Sequence, residues 1–445
     1  MKKKRLLSLL LAAALVFSLA SCSRESGEES EPPSQGGSEV QNTTNPEEVS
    51  QGVTDDKIYI GTQSLLSGAY AYIGQPAYDG LRACIARFNA QGGVLGRQVE
   101  LVAYDDQYDA AQGQAVIERL VEQDEVFALV SLGGHIVESS LDYLKETGIP
   151  VINISSGLDV CYSDNESEGN IFQIQPANMT DARYLIARVL HEPIFGPNKD
   201  EKLPEDAKIA VVHGTDSASM SSLGHLQELA EQEGATDRLV IQAVTQDTYA
   251  TAIQQFQNEN CQVVIFMGVD STTWISAMDD AQWEVPVVFS YGASTLQSFV
   301  PDTYKEGRPC YATIWGDYSG QAGQDMLDDM MDALSYLDDL DEATRTSYRD
   351  NNYCVAGYAY GLALTEALQR YNEHEGEYGL NWNDFIKIME LEPFQFGSVE
   401  FTYADGYRMG VDSMAFVEYI GYPETGEEEM IPLRPFESLE EVLAK

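Results

Sequence analysis

The sequence predicts an α/β fold with two Rossmann-like lobes. Strands and helices alternate from residue 57 to residue 154, and the same alternation begins again at residue 208 and continues to residue 290. Alternation of this kind is typical of a parallel sheet with helices on both faces. The stretch after residue 315 is mostly helical. Two separate blocks of alternation indicate two sheets, and therefore two lobes.

The first block is predicted from aliphatic runs separated by turns. Leu81, Ile85 and Phe88 recur at helical spacing, and Gly92 with Gly93 ends that helix. The predicted elements are a strand at 57–61, a helix at 75–89, a strand at 98–104, a helix at 109–123, a strand at 126–132, a helix that begins near residue 135, and a strand at 149–154.

The second block and the remainder of the chain are read in the same way. The predicted strands are 208–213, 239–245, 263–268 and 285–290, and the helices between them are 221–233, 249–258 and 272–281. After residues 311–315 the predicted elements are mostly helices, at 323–337, 353–371 and 382–390. Strands at 398–403 and 414–420 are predicted to form a hairpin, because Asp405-Gly406 between them is a turn dipeptide.

The N-terminus predicts export and lipid attachment. Residues 2–5 are basic, an apolar run too short to span a bilayer follows, and small residues precede Cys22. This order is similar to the bacterial lipobox, in which the cysteine is acylated and holds the protein at the membrane. We therefore predict a signal peptide at 1–21, lipidation of Cys22, and a disordered linker at 22–55 rich in Ser, Glu, Gly and Pro. The predicted location is extracytoplasmic, on the outer face of the cell membrane.

Charge and cysteine content exclude some classes of partner and cofactor. Asp and Glu total 72 against 26 Lys and Arg, a formal net charge of −46, so we expect no nucleic-acid partner. The cysteines beyond Cys22 are odd in number and include no Cys-x-x-Cys pair, which predicts neither a zinc site nor a dense disulfide framework. They are Cys84, Cys161, Cys261, Cys310 and Cys354. Whether one disulfide forms stays open, and no metal or cofactor is predicted.

Several short motifs, taken in order, carry a family resemblance. They are Ile58-Tyr59-Ile60-Gly61, Leu66-Ser67-Gly68, Asp79-Gly80-Leu81, residues 89–97, residues 102–106, residues 148–152 and Tyr358-Ala359-Tyr360. This set resembles the leucine/isoleucine/valine-binding protein family, the type I periplasmic solute receptors of ABC transporters. The resemblance implies one lobe of residues 56–175 and 316–375 and another of residues 176–315 and 376–445. It also implies that the two lobes close on a solute bound in the cleft between them. The solute is then passed to an ABC permease and its ATPase.

The resemblance further implies which first-lobe residues hold the solute. Two loops match family positions that bind an amino-acid carboxylate, and tyrosines in the loop after the first strand would cover an apolar side chain. These residues are Gly133, Gly134, Ser155, Ser156, Gly157, Tyr70 and Tyr72. Glycine and serine also suit turns, and tyrosines are frequent in this chain, so purely structural roles stay open.

The second lobe departs from the family pattern. Tyr291 begins a stretch that stands where amino-acid binders carry an acid for the ligand's ammonium group, and residues 215–219 lack the family's aromatic side chain. A buried ammonium without a partner is costly, which argues against a simple α-amino-acid site. Asp270 is predicted either as the substitute acid or as a helix N-cap. Tyr291, Trp315 and Tyr318 are further candidates at the cleft edge.

Other function classes fit the sequence less well. No His-Glu-x-x-His, Gly-x-Ser-x-Gly or Gly-x-x-x-x-Gly-Lys motif is present, so we predict that the chain is not an enzyme. A binding protein that reports to a membrane receptor would use the same fold and stays an alternative. The predicted ligand is a branched-chain or other amino acid, with an amide, a small carboxylate or a short peptide as the alternative. We expect a monomer.

Overall fold

The computed structural model describes residues 44–68, 71–107, 109–153, 169–215, 217–268, 271–292, 309–316, 320–349, 351–422 and 427–445. The first block contains β1 (Lys57–Ser64), α1 (Ala71–Ala90), β2 (Gln98–Asp105), α2 (Ala110–Glu122), β3 (Ala128–Ser131), α3 (Gly134–Ser139), α4 (Leu141–Thr147), β4 (Val151–Asn153) and β5 (Ile171–Gln173). These strands form a parallel sheet in the order β2-β1-β3-β4-β5.

The second block forms a second sheet. It contains α5 (Asn178–His191), β6 (Lys208–His213), α6 (Ser217–Gln232), β7 (Leu239–Ala243), α7 (Tyr249–Asn258), β8 (Cys261–Met267), α8 (Ser271–Asp280), β9 (Val287–Phe289) and β10 (Cys310–Ile314). The strands β7-β6-β8-β9-β10 are parallel. The predicted α/β fold with two lobes is confirmed.

The C-terminal part extends the second sheet and adds a separate two-stranded sheet of β11 and β12. It contains α9 (Gln321–Leu334), α10 (Glu342–Ser347), α11 (Asn352–Glu373), α12 (Trp382–Glu390), β11 (Phe394–Phe396), β12 (Val399–Phe401), β13 (Met414–Tyr422), β14 (Glu427–Glu437) and α13 (Leu439–Leu443). β13 adds antiparallel to β10, and β14 adds antiparallel to β13.

The predicted C-terminal hairpin is wrong. β12 pairs with β11, and β13 pairs with β10 and β14, so 398–403 and 414–420 belong to different sheets. Asp405 does make a turn, with φ of 55°, but the turn leads into the connection between the two sheets. A dipeptide signal fixes the local bend, whereas burial of the apolar strand faces decides which strands pair.

Each face of the first sheet is covered by helices. Ile58 and Ile60 pack in one core cluster with Leu81 of α1, whereas Tyr59 packs in another with Ile117 of α2. This follows from the alternation of side chains along a strand. The helices α1 and α11 approach very closely, because a Cβ atom on Gly357 would lie 1.8 Å from the carbonyl oxygen of Ala77.

The segment just before β1 is bound to the first lobe. Asn45 N–H donates to Asp384 at 2.9 Å, and Ser50 N–H donates to the Leu380 carbonyl at 2.9 Å. Burial acts to raise the pKa of Asp384, but hydrogen bonds, chiefly from the backbone N–H groups of Gly379 and Asn45, lower it below its ordinary value. The structure thus differs from the predicted linker over residues 45–53, because backbone hydrogen bonds hold a segment that has little apolar surface.

The stretch around α12 also lies beside the first sheet. The Trp382 indole N–H donates to the Phe127 carbonyl at 2.6 Å, and the Phe385 ring packs edge-on against Phe127 with centroids 5.5 Å apart. The prediction assigned this stretch to the second lobe. The chain joins the second sheet again only at β13.

Among the described residues, no helix is long and apolar enough to cross a membrane. Cys84, Cys261 and Cys354 are buried free thiols, and Cys310 is buried as well. Cys161 lies outside the described residues.

Candidate functional site

The carboxyl edge of the first sheet carries a row of polar residues. Gln63, Ser131, Asn153 and Gln173 are paired in register across β1, β3, β4 and β5. Residues at one register level of a parallel sheet project to the same face, so Gln63, Ser131 and Gln173 share a face. We name Gln63, Ser131 and Gln173 the polar row. Ligands bind beyond this edge in open α/β sheets.

The polar row is buried and only partly hydrogen-bonded. The side chains of Gln63, Ser131 and Gln173 are fully buried. Gln63 Nε2 donates to Ser131 Oγ, and Ser131 Oγ donates to the Gly133 carbonyl at 3.4 Å. Among the described residues, Gln63 Oε1 and both polar atoms of the Gln173 amide have no hydrogen-bond partner. Buried amides are rarely left unpaired, so these atoms mark a place suited to a polar ligand group.

The carboxyl edge of the second sheet holds a buried acid. Asp181, in the first turn of α5, accepts a hydrogen bond from the Thr313 hydroxyl at 2.5 Å and one from Tyr291 N–H at 3.5 Å. Burial raises the pKa of Asp181 to about 6, and hydrogen bonds from Ser290, Thr313 and Tyr291 oppose that rise. Asp181 therefore lies beside Tyr291, the position after β9 where the family's amino-acid binders carry an acid. Its carboxylate oxygen, however, already accepts hydrogen bonds from the protein.

Short crossovers bring the two carboxyl edges together. Gln173 ends β5 and Asn178 begins α5, and these five steps of chain span at most about 18 Å. Tyr291 OH, beyond β9, donates to the Pro176 carbonyl inside this crossover at 3.2 Å. The end of the first sheet is thus tied directly to the end of the second.

A second connection runs beside the first. Gln173 N–H donates to the Arg408 carbonyl at 3.0 Å, and Val411 N–H donates to the Ile174 carbonyl at 3.3 Å. Tyr403 OH donates to the Gln173 carbonyl. These bonds hold the backbone of Gln173 in place while its side-chain amide stays unpaired, so its position at the edge is fixed by the chain around it.

Several predicted site residues lie at these edges. Tyr72 is in the first turn of α1, 62% exposed, and its ring lies edge-on to Tyr353 with centroids 6.1 Å apart. Gly133 lies just before α3 and Gly134 is its first residue. Their ligand roles stay predictions, since no solute contact has tested them.

The two predicted second-lobe aromatics have partners within the protein. Burial raises the pKa of the Tyr291 hydroxyl above its ordinary value, and the hydroxyl bonds to Pro176 as described. Trp315 is buried and stacks on Phe396 with centroids 5.7 Å apart. The remaining predicted positions lie outside the described residues: Cys22, Tyr70, Ser155, Ser156, Gly157, Asp270 and Tyr318.

Sequence reasoning missed the polar row and Asp181. A usable signal was present in the row, because Gln63, Ser131 and Gln173 are polar residues at or near the carboxyl ends of their strands. Asp181 gave no such signal, since its contacts depend on how α5 packs on the second sheet. Within the described parts of the chain, no group of three or more His, Cys, Asp or Glu is placed to hold a metal ion.

Comparison with known proteins places the chain in a family. The family model described as periplasmic binding protein matches residues 57–410. The leucine-specific-binding protein of Salmonella typhimurium is 30% identical over 105 residues, which is 24% of this chain and 28% of that protein. The chain therefore matches only about a quarter of the length of such curated relatives.

Solved structures share the fold over most of the chain. The fatty acid ABC transporter substrate-binding protein from Thermomonospora curvata superposes with a TM-score of 0.64, at 16% identity, over 88% of this chain and 96% of that one. A substrate-binding protein from Desulfitobacterium hafniense in complex with Leu gives a TM-score of 0.60, at 15% identity, over 84% and 100%. At these identities the likeness shows the fold alone.

The family match and the two-sheet architecture agree with each other. The match spans both sheets from β1 to the turn before β13, which is the part that forms both carboxyl edges. The family is one of binding proteins, so the prediction that the chain is not an enzyme is confirmed at family level. The chain belongs to the periplasmic binding protein family, as the resemblance to the leucine/isoleucine/valine-binding proteins implied.

Proposed function

We propose that this chain captures a small solute between its two lobes and delivers it to an ABC permease and its ATPase. One observation carries the proposal: the carboxyl edges of two parallel sheets are joined by a crossover of at most about 18 Å. Solutes bind at such edges in open α/β sheets. The lobes would close over the solute, and the closed form would dock on the permease.

The proposed ligand is a branched-chain or other amino acid, or a related small molecule. The Salmonella relative is named for leucine, and the Desulfitobacterium structure contains Leu. The Thermomonospora neighbour is named for a fatty acid, so the same fold accommodates other ligand classes. An amide, a small carboxylate or a short peptide is the alternative.

The proposed binding residues combine predicted positions and the observed edges. Tyr72, Gly133 and Gly134 would contribute from the first lobe, and Tyr291 and Trp315 from the second. The predicted positions outside the described residues are proposed with them: Tyr70, Ser155, Ser156, Gly157 and Asp270. We count residues 376–403 with the first lobe, in view of the contact of Trp382 with Phe127.

We further propose that the protein acts outside the cytoplasm as a monomer held to the membrane by lipidated Cys22. The support is the lipobox-like sequence before Cys22 and the family to which the chain belongs. Mass spectrometry of the membrane-extracted protein tests the anchor. A diacylglyceryl mass on Cys22 is expected, and an unmodified N-terminus at another residue would contradict it.

A thermal-shift screen tests the binding function. The chain from residue 44 onward is screened against L-amino acids, amides, small carboxylates, purines and sugars. A solute at ~1,000 times its dissociation constant adds ~4 kcal/mol to the folded state, which is roughly 8–16 °C for a lobe of this size. A shift with at least one solute is expected, and the absence of a shift across the whole panel would contradict solute binding.

A further inference from the structure

We infer that the solute presents a neutral carboxamide to the polar row, and that the Gln173 side chain recognises this group by hydrogen bonds. The inference rests on the proposed function and names the chemical class of its ligand. The observation behind it is a fully buried glutamine whose side-chain amide has no hydrogen-bond partner in the part of the chain that the structure describes. It lies at the end of the strand that leads into the first crossover.

The surroundings of Gln173 hold its backbone in place. Its backbone is held on both sides, because its N–H donates to Arg408 and its carbonyl accepts from Tyr403. It stands at the same register level as Ser131, on the same face of the sheet. A backbone fixed in this way holds the amide at the sheet edge, where a ligand in the cleft would meet it.

The unpaired atoms specify what the ligand must offer. Gln63 uses one end of its amide on Ser131, which leaves one polar atom unpaired, and Gln173 leaves both ends unpaired. Either orientation of the Gln173 amide presents one donor end and one acceptor end. A carboxamide, with an N–H donor and a carbonyl acceptor, can satisfy both ends at once.

Charge argues for an amide over a carboxylate at this place. The three residues of the polar row are uncharged, so none of them can neutralise a buried anion. A carboxylate is an acceptor only and would leave the acceptor end of Gln173 unpaired or repelled, and an unpaired buried polar group costs about 1–3 kcal/mol. A neutral amide removes that cost.

Isothermal titration with matched amide and acid pairs tests the inference. The probes are isovaleramide against isovalerate, L-leucinamide against L-leucine, benzamide against benzoate, and L-glutamine and L-asparagine against L-glutamate and L-aspartate. We expect at least one amide to bind, with an affinity at least tenfold higher than that of its acid. Tighter binding of the acids, or binding of other solutes in the thermal-shift screen but of no amide, would overturn the inference and leave solute binding intact. Failure of every solute would remove the proposed function as well.

Two variants locate the effect at Gln173. Gln173→Leu removes the amide at similar volume, and we expect an amide affinity reduced roughly 10- to 100-fold. Without ligand, this variant is expected to melt at the same or a higher temperature, because an unpaired buried amide has been replaced by an apolar group. Gln255→Leu, at an exposed position of α7, is the control and is expected to bind as the original chain does. Unchanged amide affinity in Gln173→Leu would overturn the inference.

Discussion

Asp181→Asn replaces a buried carboxyl by a neutral amide of the same shape and should change how stability depends on pH. Burial raises the pKa of Asp181 from its ordinary 3.8 to about 6 in the folded protein. The folded state therefore holds a proton that the unfolded state releases between about pH 4 and pH 6. The contribution of this residue is fully present below pH 4 and is lost as the pH rises through 6. A rise of this size corresponds to about 3 kcal/mol of unfolding free energy, lost between low pH and high pH.

Urea unfolding followed by tryptophan fluorescence measures the effect. The isoelectric point calculated from the sequence is about 4.1, so measurements between pH 5 and pH 8 avoid the least soluble range. About 1.4 kcal/mol of the total loss in unfolding free energy falls between pH 5 and pH 8. Relative to Asp181→Asn, the original chain should lose about 1.4 kcal/mol of unfolding free energy between pH 5 and pH 8. Parallel pH profiles for the two proteins would refute an elevated pKa at Asp181.

Two further substitutions test the packing. Gly357→Val places side-chain atoms against the Ala77 carbonyl, and we expect it to lower the unfolding free energy in urea by about 3 kcal/mol or more. The control is Gly224→Val, where a Cβ meets nothing within 4 Å, and it should lower the unfolding free energy by less than about 1 kcal/mol. Arg188→Met removes a fully buried guanidinium that pairs with Glu192 and Glu437, while Glu192 keeps Arg434 and Lys445. We expect a cost of about 1.5–3 kcal/mol in the same assay, whereas Arg183→Met, in a partly exposed pair on the same helix, should cost less than about 1 kcal/mol. If a substitution and its control lower the unfolding free energy equally, the packing or ion-pair explanation given for that substitution is contradicted.

The layered architecture could be predicted because it rests on local patterns. Ile58 and Ile60 alternate with Tyr59, and Leu81, Ile85 and Phe88 recur at helical spacing, so the strand and the helix at the start of the first lobe are both visible in the sequence. β5 was missed because Ile171–Gln173 is too short to show a period. Strand pairing at the C-terminus was mispredicted because β13 pairs with β10, which is about a hundred residues earlier in the chain.

The site was less accessible to sequence reasoning than the fold. Tyr72 and Gly133 could be placed at the carboxyl edge, since a loop that follows a parallel strand must lie there. The polar row needs the strand order and register, which bring Gln63, Ser131 and Gln173 to one level. No residue pattern gives that register in advance, because it is set by the packing of whole strands.

The central claim is that a solute binds between the two carboxyl edges, and hydrogen–deuterium exchange tests it most directly. The exchange of backbone amides is followed by mass spectrometry, with and without the solute that gives the largest thermal shift. We expect added protection at both edges, in peptides that cover residues 61–68, 130–136 and 171–178 of the first lobe and 287–292 and 310–316 of the second. Peptides from β14, at the far side of the second sheet, should be unchanged. Protection confined to one lobe, or found only in β14, would contradict the account.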